Sequence, residues 1–366
     1  MIRKIFFFCP KRHCGIAIGL SLILFHVIVR NYYPAAHYIS LNVVRPINHF
    51  CTTFSSLFGF SLAELFIAAL SIGFIIYLIY IIFRKGFSFE FVYKLFASAV
   101  MLVVLVYTGF CMLWGWYFYD DDFAAKSGLD NDPISVTELE TVTAFFADLA
   151  NHYSSLVERN EQGVYTVDRR SIIDKSPEVY NSLEARYDCL QGPDVKVKGI
   201  HFSRLLSYFD FTGFYFPLTG EANVNIDFPP SLFASTVAHE ISHQRGVCKE
   251  QEANFLAVLS SLEYGDVDYC YSACLLAYTH LGNALYDANY EAWEKIYRTL
   301  DQNILIDFAY NRTYWAQFET PVQQVSNAVY ENFMYSYNQD LGLKSYGACV
   351  DLLVNYYYEK AADYLR

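Results

Sequence analysis

"STVAHEISHQRGVCKEQEANFLA", Ser235–Ala257, holds two histidines four residues apart with a glutamate beside the first. On a helix, residues four apart share a face, so His239 and His243 can reach one metal ion while Glu240 projects beside them. The preceding "LFASTVA" is apolar and small, as a buried helix requires. Gly246 is a natural helix terminator. A second helix then starts near Lys249 and carries Glu250, Ala253, Asn254 and Ala257 on one face. The alanines permit close approach to the first helix. Glu250 is the candidate third ligand, and Asn254, one turn on, is placed to orient a histidine. Glu252 is the reserve ligand, pointing elsewhere on the helix, and Cys248 is a weaker alternative. Neutral imidazoles suit zinc, and three protein ligands leave a fourth position for water. Bound zinc lowers the pKa of that water to about 7, and Glu240 is the candidate base that takes its proton. Without a metal, the same charges would read as a solvated helix.

Working outward, the first third of the chain is unlike the rest. Of the 366 residues, 54% are hydrophobic, and the excess is concentrated there in three apolar runs. A bilayer core takes about 20 apolar residues in a helix. The runs predict transmembrane helices over about 14–33, 61–83 and 95–119, making residues 1–119 a membrane domain. The first run is short enough to resemble a signal-peptide core, with "PAAHY" after it, but its length and flanks favour a retained helix. Arg3, Lys4, Lys11 and Arg12 precede it, and Arg84, Lys85 and Lys94 lie between the second and third runs. The positive-inside rule therefore puts the N-terminus in the cytoplasm and residues 120–366 outside. This is the pattern of a multi-pass protein of the bacterial cell membrane, with the lipid bilayer as a partner.

Net charge divides the same way. Residues 1–119 carry 9 basic and 2 acidic side chains, and residues 120–366 carry 17 and 36. So acidic a domain is a poor nucleic-acid binder. Its five cysteines cannot all pair with one another, and there is no CxxC to support a ribbon-type zinc site. Cys270 and Cys274, one helical turn apart, read as small buried residues.

The outer domain reads as mostly helical. "SVTE", Ser135–Glu138, is a capping-box pattern opening a helix to about Glu158. "SPE", Ser176–Glu178, reads as another helix start. "GFYFPLTGEANVNIDFPP", residues 213–230, interrupts the helices and predicts a short hairpin. After residue 250 the chain is nearly all helix, with its many aromatics packed inside.

HExxH followed by ExxAN resembles the gluzincin branch of the zincin metallopeptidases, over about twenty residues. The "EQEANFLA" wording is similar to bacterial regulatory peptidases that cleave phage and stress repressors, although the spacer here is unusually short. Over most of its length the chain resembles an uncharacterised family of bacterial membrane proteins carrying "FPLTGEANVN", "HEISHQRG" and "EANFLA" motifs. The zincin resemblance implies a mainly α, zincin-like domain with a small hairpin whose edge strand pairs with extended substrate. "ANVNI" would be that strand, with Glu221, Asn223 and Asn225 lining the cleft. It also implies a transition-state donor, for which Arg245, His280 and Tyr346 are chemically suited.

The expectation is a membrane-anchored zinc metallopeptidase acting on a peptide or protein. The alternative is a non-catalytic binder of an envelope partner or peptide, with a structural zinc closed by Cys248 or Glu252. Transport has less support, since Glu64 and His26 are the only ionisable polar residues within the apolar runs.

Overall fold

The computed structural model describes residues 9–85, 88–129, 132–337 and 349–366. The fold is mainly α, and the chain divides into two compact units. The first comprises residues 1–120 and the short segment 216–220; the second comprises 121–215 and 221–366.

In the first unit, α1 (Pro10–Val29), α4 (Leu62–Lys85) and α5 (Phe89–Leu113) are long and apolar enough to cross a membrane. Most of their side chains lie outside the protein interior, which suits a lipid solvent and would be costly in water. The helix boundaries differ from expectation. The first helix starts and ends earlier than 14–33, and the third covers 89–113 rather than 95–119. Ser88 sets that third start by capping it, accepting from Phe91 N at 3.2 Å. Beyond it, residues 117–119 form a single 3₁₀ turn.

Two helices between the first pair of spans escaped the sequence reading. They are α2 (Tyr33–Ile39) and α3 (Arg45–Ser56), each with a proline in its first turn and joined by a π-helical segment, Ser40–Val44. Gly19 lets α1 approach α5: a Cβ there would lie 2.5 Å from the Val104 side chain. The segment 216–220 is fastened to α3, where Thr52 Oγ1 donates to Gly220 O at 2.7 Å. Gly220 has φ +69°, and a Cβ on it would meet Thr52 N at 2.5 Å.

The second unit begins with the short helix α6 (Phe123–Ser127). Next comes α7 (Val136–Ser154), opened by the expected capping box: Ser135 accepts from Glu138 N while Glu138 accepts from Ser135 N. Then α8 (Arg169–Lys175) and α9 (Asn181–Arg186) follow. Ser176–Glu178 is a 3₁₀ turn after α8, not the start of a helix. The Ser176 hydroxyl faces back to Ile173 O and accepts from Val197 N, so it caps no helix there.

Three strands form one sheet in the order β1 (Lys198–Ile200), β3 (Glu221–Asn225), β2 (Gly213–Phe216). Helix α10 (Ser203–Tyr208) lies between β1 and β2 in the chain. The hairpin of β2 and β3 is as expected, but β1 was not foreseen. It pairs in parallel with β3, Gly199 opposite Val224. The strand expected at the edge is therefore the middle one, and all five of its residues are buried.

The remaining helices are α11 (Phe233–Gln244), α12 (Glu250–Tyr264), α13 (Val267–Ala288), α14 (Tyr290–Tyr297), α15 (Gln302–Ala316), α16 (Pro321–Ser336) and α17 (Cys349–Tyr364). α13 packs along α7, α11 sits on β3 and α12, and α17 packs on α7 and α12. Phe145, Phe146, Phe233, Phe255 and Tyr269 fill the core between them. Asp307 on α15 ties in the loop after α7, accepting from Arg159 at 2.9 Å, Tyr271 at 2.5 Å and Tyr165 N at 2.8 Å. Cys248, Cys270, Cys274 and Cys349 are buried free thiols in this unit.

Candidate metal centre

Two helices build the centre. Pro229 and Pro230 lead into a 3₁₀ turn, Pro230–Leu232, and α11 follows with its apolar first turns buried. It stops where the sequence says it should. Gly246 takes φ +90°, and Val247 N bonds back to Ser242 O at 3.1 Å. That left-handed residue reverses the chain at no steric cost. Lys249 is extended, and α12 starts at Glu250.

This return brings His239, His243 and Glu250 together, with one ligand atom from each within 4.8 Å of the others. The two Nε2 atoms are 3.0 Å apart. Glu250 Oε2 lies 3.2 Å from His239 Nε2, and its Oε1 lies 3.7 Å from His243 Nε2. Zn–N and Zn–O bonds of about 2.0–2.1 Å in a tetrahedron separate the ligand atoms by roughly 3.3 Å. The three distances bracket that value.

Hydrogen bonding decides which ring nitrogens face inward. His243 Nδ1 donates to Val247 O at 2.7 Å, and His239 Nδ1 pairs with Asn254 Oδ1 at 2.9 Å. In the neutral rings, protons on Nδ1 would leave two Nε2 lone pairs and a carboxylate converging on one point. A proton shared with Glu250 or a metal ion balances such a cluster, and the N, N, O donor set fits zinc. The side chains of His239 and Glu250 remain 14% and 12% exposed.

The same convergence appears in the acid–base behaviour. Burial opposes the charge of Glu250, yet the two imidazoles hold its carboxyl well below the usual range. Burial also opposes a proton on His243, but the Glu250 carboxylate raises that ring to about 9. Glu240 stands beside the pair and is buried, and its Oε2 has no hydrogen-bond partner. Burial pushes its carboxyl up to about 7, with the histidines pulling down and Glu250 pushing up.

Gly213, at the start of β2, makes room for that carboxylate. A Cβ there would lie 2.5 Å from Glu240 Oε1 and 2.8 Å from Asn223 O. The backbone oxygen cannot yield, so Gly213→Ala is expected to displace Glu240 while leaving the three ligands in place. Zinc content should be unchanged and any hydrolytic activity cut by at least tenfold. Full activity in the alanine variant would show that Glu240 needs no such room.

The other expected residues fall in different places. Glu252 is turned away from the cluster and accepts from Phe123 N at 3.0 Å and Ala124 N at 2.9 Å. Cys248 is buried, its thiol pushed up by burial and by Glu252. Glu221, Asn223 and Asn225, expected to line a cleft, are buried within the sheet. Asn223 Nδ2 donates to Glu221 O at 3.0 Å, and Asn225 Nδ2 to Ser207 Oγ at 2.9 Å and Phe211 O at 3.0 Å. Their amides hold the sheet and its flanking loop together because β3 is central. Arg245 is buried too, pinned to Glu184 at 2.6 Å and Asp194 at 2.8 Å. His280 lies on α13, and Tyr346 lies outside the described residues.

One residue at the centre was missed. Tyr330 on α16 donates its hydroxyl to Glu250 Oε1 at 2.6 Å. It engages one carboxylate oxygen and leaves Oε2 towards His239. Nothing in "NAVYENF" marks this tyrosine among the 32 in the chain. The contact joins residues 80 apart, and only the folded chain reveals it.

Fold and site together define a mainly α protein with three apolar helices and a two-histidine, one-glutamate cluster in its second unit. A family model described as "Protein of unknown function (DUF3810)" matches residues 40–354, and the chain belongs to that family. No curated protein and no solved structure matches the chain.

Proposed function

We propose that the protein is a membrane-anchored, zinc-dependent metallopeptidase. The observation that carries the reading is the convergence of His239 Nε2, His243 Nε2 and Glu250, with both Nδ1 atoms engaged elsewhere and Glu240 alongside. Zinc, when bound, activates water and polarises a carbonyl. His239, His243 and Glu250 hold the ion; Asn254 and Val247 O fix the ring orientations. Glu240 takes a proton at its carboxylate and returns it to the leaving amine. Tyr330 keeps Glu250 to one ligating oxygen.

A closed structural zinc is less well supported. Glu252, a proposed closing ligand, is already taken up by two backbone amides. The test is zinc content and zinc-dependent hydrolysis of a peptide library by the full-length chain. Absence of zinc, or zinc without hydrolysis across the library, overturns the reading.

The basic residues flanking the apolar helices support the orientation: N-terminus cytoplasmic, second unit outside a bacterial cell membrane. Reporter fusions should show the connection near residue 86 inside and residue 366 outside. The reverse pattern would put the metal centre in the cytoplasm.

A further inference from the structure

Glu250 sits where a helix is least secure. It is the first residue of α12, and the N-cap position is Lys249, whose side chain makes no capping hydrogen bond. The first four N–H groups of a helix have no partner within it, and an uncapped end frays. A ligand there needs support from elsewhere.

The residues around Glu250 supply it. Lys249 Nζ donates to Asp122 Oδ2 at 2.5 Å. Glu252 uses both carboxylate oxygens to accept from Phe123 N and Ala124 N. Asp122 turns its other oxygen to Ala125 N at 2.9 Å, capping α6. Phe123 is buried, its ring edge-on to Tyr187 and tilted against Phe255 of α12. The first turn of α12 thus faces two ways. Glu250 points into the metal centre, while Lys249 and Glu252 grip residues 122–124.

We propose that the segment Asp122–Ala124, held by Lys249 and Glu252, is a positioning element that fixes the ligand Glu250 in place of a helix cap. This inference rests on the metal reading above. Glu252 and Lys249 are positioning residues: they touch neither metal nor substrate.

The experiment uses the full-length chain in detergent with zinc and cobalt(II) as probes. Glu252→Gln leaves one carbonyl oxygen for two amides; Asp122→Asn and Lys249→Met break the ion pair at half-buried positions, and thermal unfolding checks that each variant is folded. Each variant is expected to bind zinc about tenfold more weakly, by chelator competition, as loss of an orienting partner does. The visible bands of the cobalt form should change in intensity, and the swapped pair Asp122→Lys with Lys249→Asp should recover part of the affinity. Zinc affinity and cobalt spectra equal to wild type in Asp122→Asn and Lys249→Met overturn the positioning role while leaving the metal reading intact. A wild-type chain that binds neither ion overturns both.

Discussion

Glu240→Gln is expected to keep one zinc per chain and to slow peptide hydrolysis by about a thousandfold, the loss that accompanies removal of a general base. Glutamine has the same shape, so it fits the space that Gly213 leaves. The ligand atoms belong to other residues, so metal retention should not change. An amide cannot take up a proton, so turnover should. The variant's stability should change little, because relief of a buried charge is offset by amide hydrogens left without a partner. Its carboxyl is pushed up to about 7 by burial, so near neutral pH the protein carries the cost of a partly charged buried group. A neutral amide removes that cost. Thermal unfolding and a fluorogenic peptide assay read the two effects separately, and undiminished hydrolysis would assign the base to another residue.

Glu250→Ala is expected to abolish stoichiometric zinc, weakening binding by well over a hundredfold. Losing a partner of a ligand typically costs 10–100-fold, and losing the ligand itself costs more. The remaining imidazoles would face each other at 3.0 Å with nothing to balance an ion. A second readout follows from linkage. An ion present at about 1,000 times its Kd stabilises the native state by roughly 4 kcal/mol. Wild-type chain should therefore melt at a higher temperature with zinc than with chelator, and the alanine variant should show no difference. Retained zinc and an unchanged melting response would mean another carboxylate closes the centre.

The parts of this molecule legible in its sequence are those set by local spacing. Apolar runs of helical length gave three long helices. The four-residue interval of His239 and His243, the stop at Gly246 and the face shared by Glu250 and Asn254 all depend on helix period and one left-handed residue, and the folded chain brings these groups together. The capping box at Ser135 is local in the same way.

What was not legible depends on distant partners. α2 is only seven residues long, α3 mixes polar and apolar residues, and both carry prolines, so no apolar run announced them. β3 looks like one arm of a hairpin until β1, more than twenty residues earlier, pairs with its other side. That pairing turned Asn223 and Asn225 from cleft residues into buried amides. Tyr330 reaches Glu250 from 80 residues away, and Glu252 found its amides at residues 123 and 124.

Four buried thiols bear on how the second unit tolerates its surroundings. Burial pushes the thiols of Cys248, Cys270, Cys274 and Cys349 upward, so they remain protonated and shielded from oxidants. None of these four is in a disulfide. These four should therefore tolerate thiol reductants during purification and metal loading.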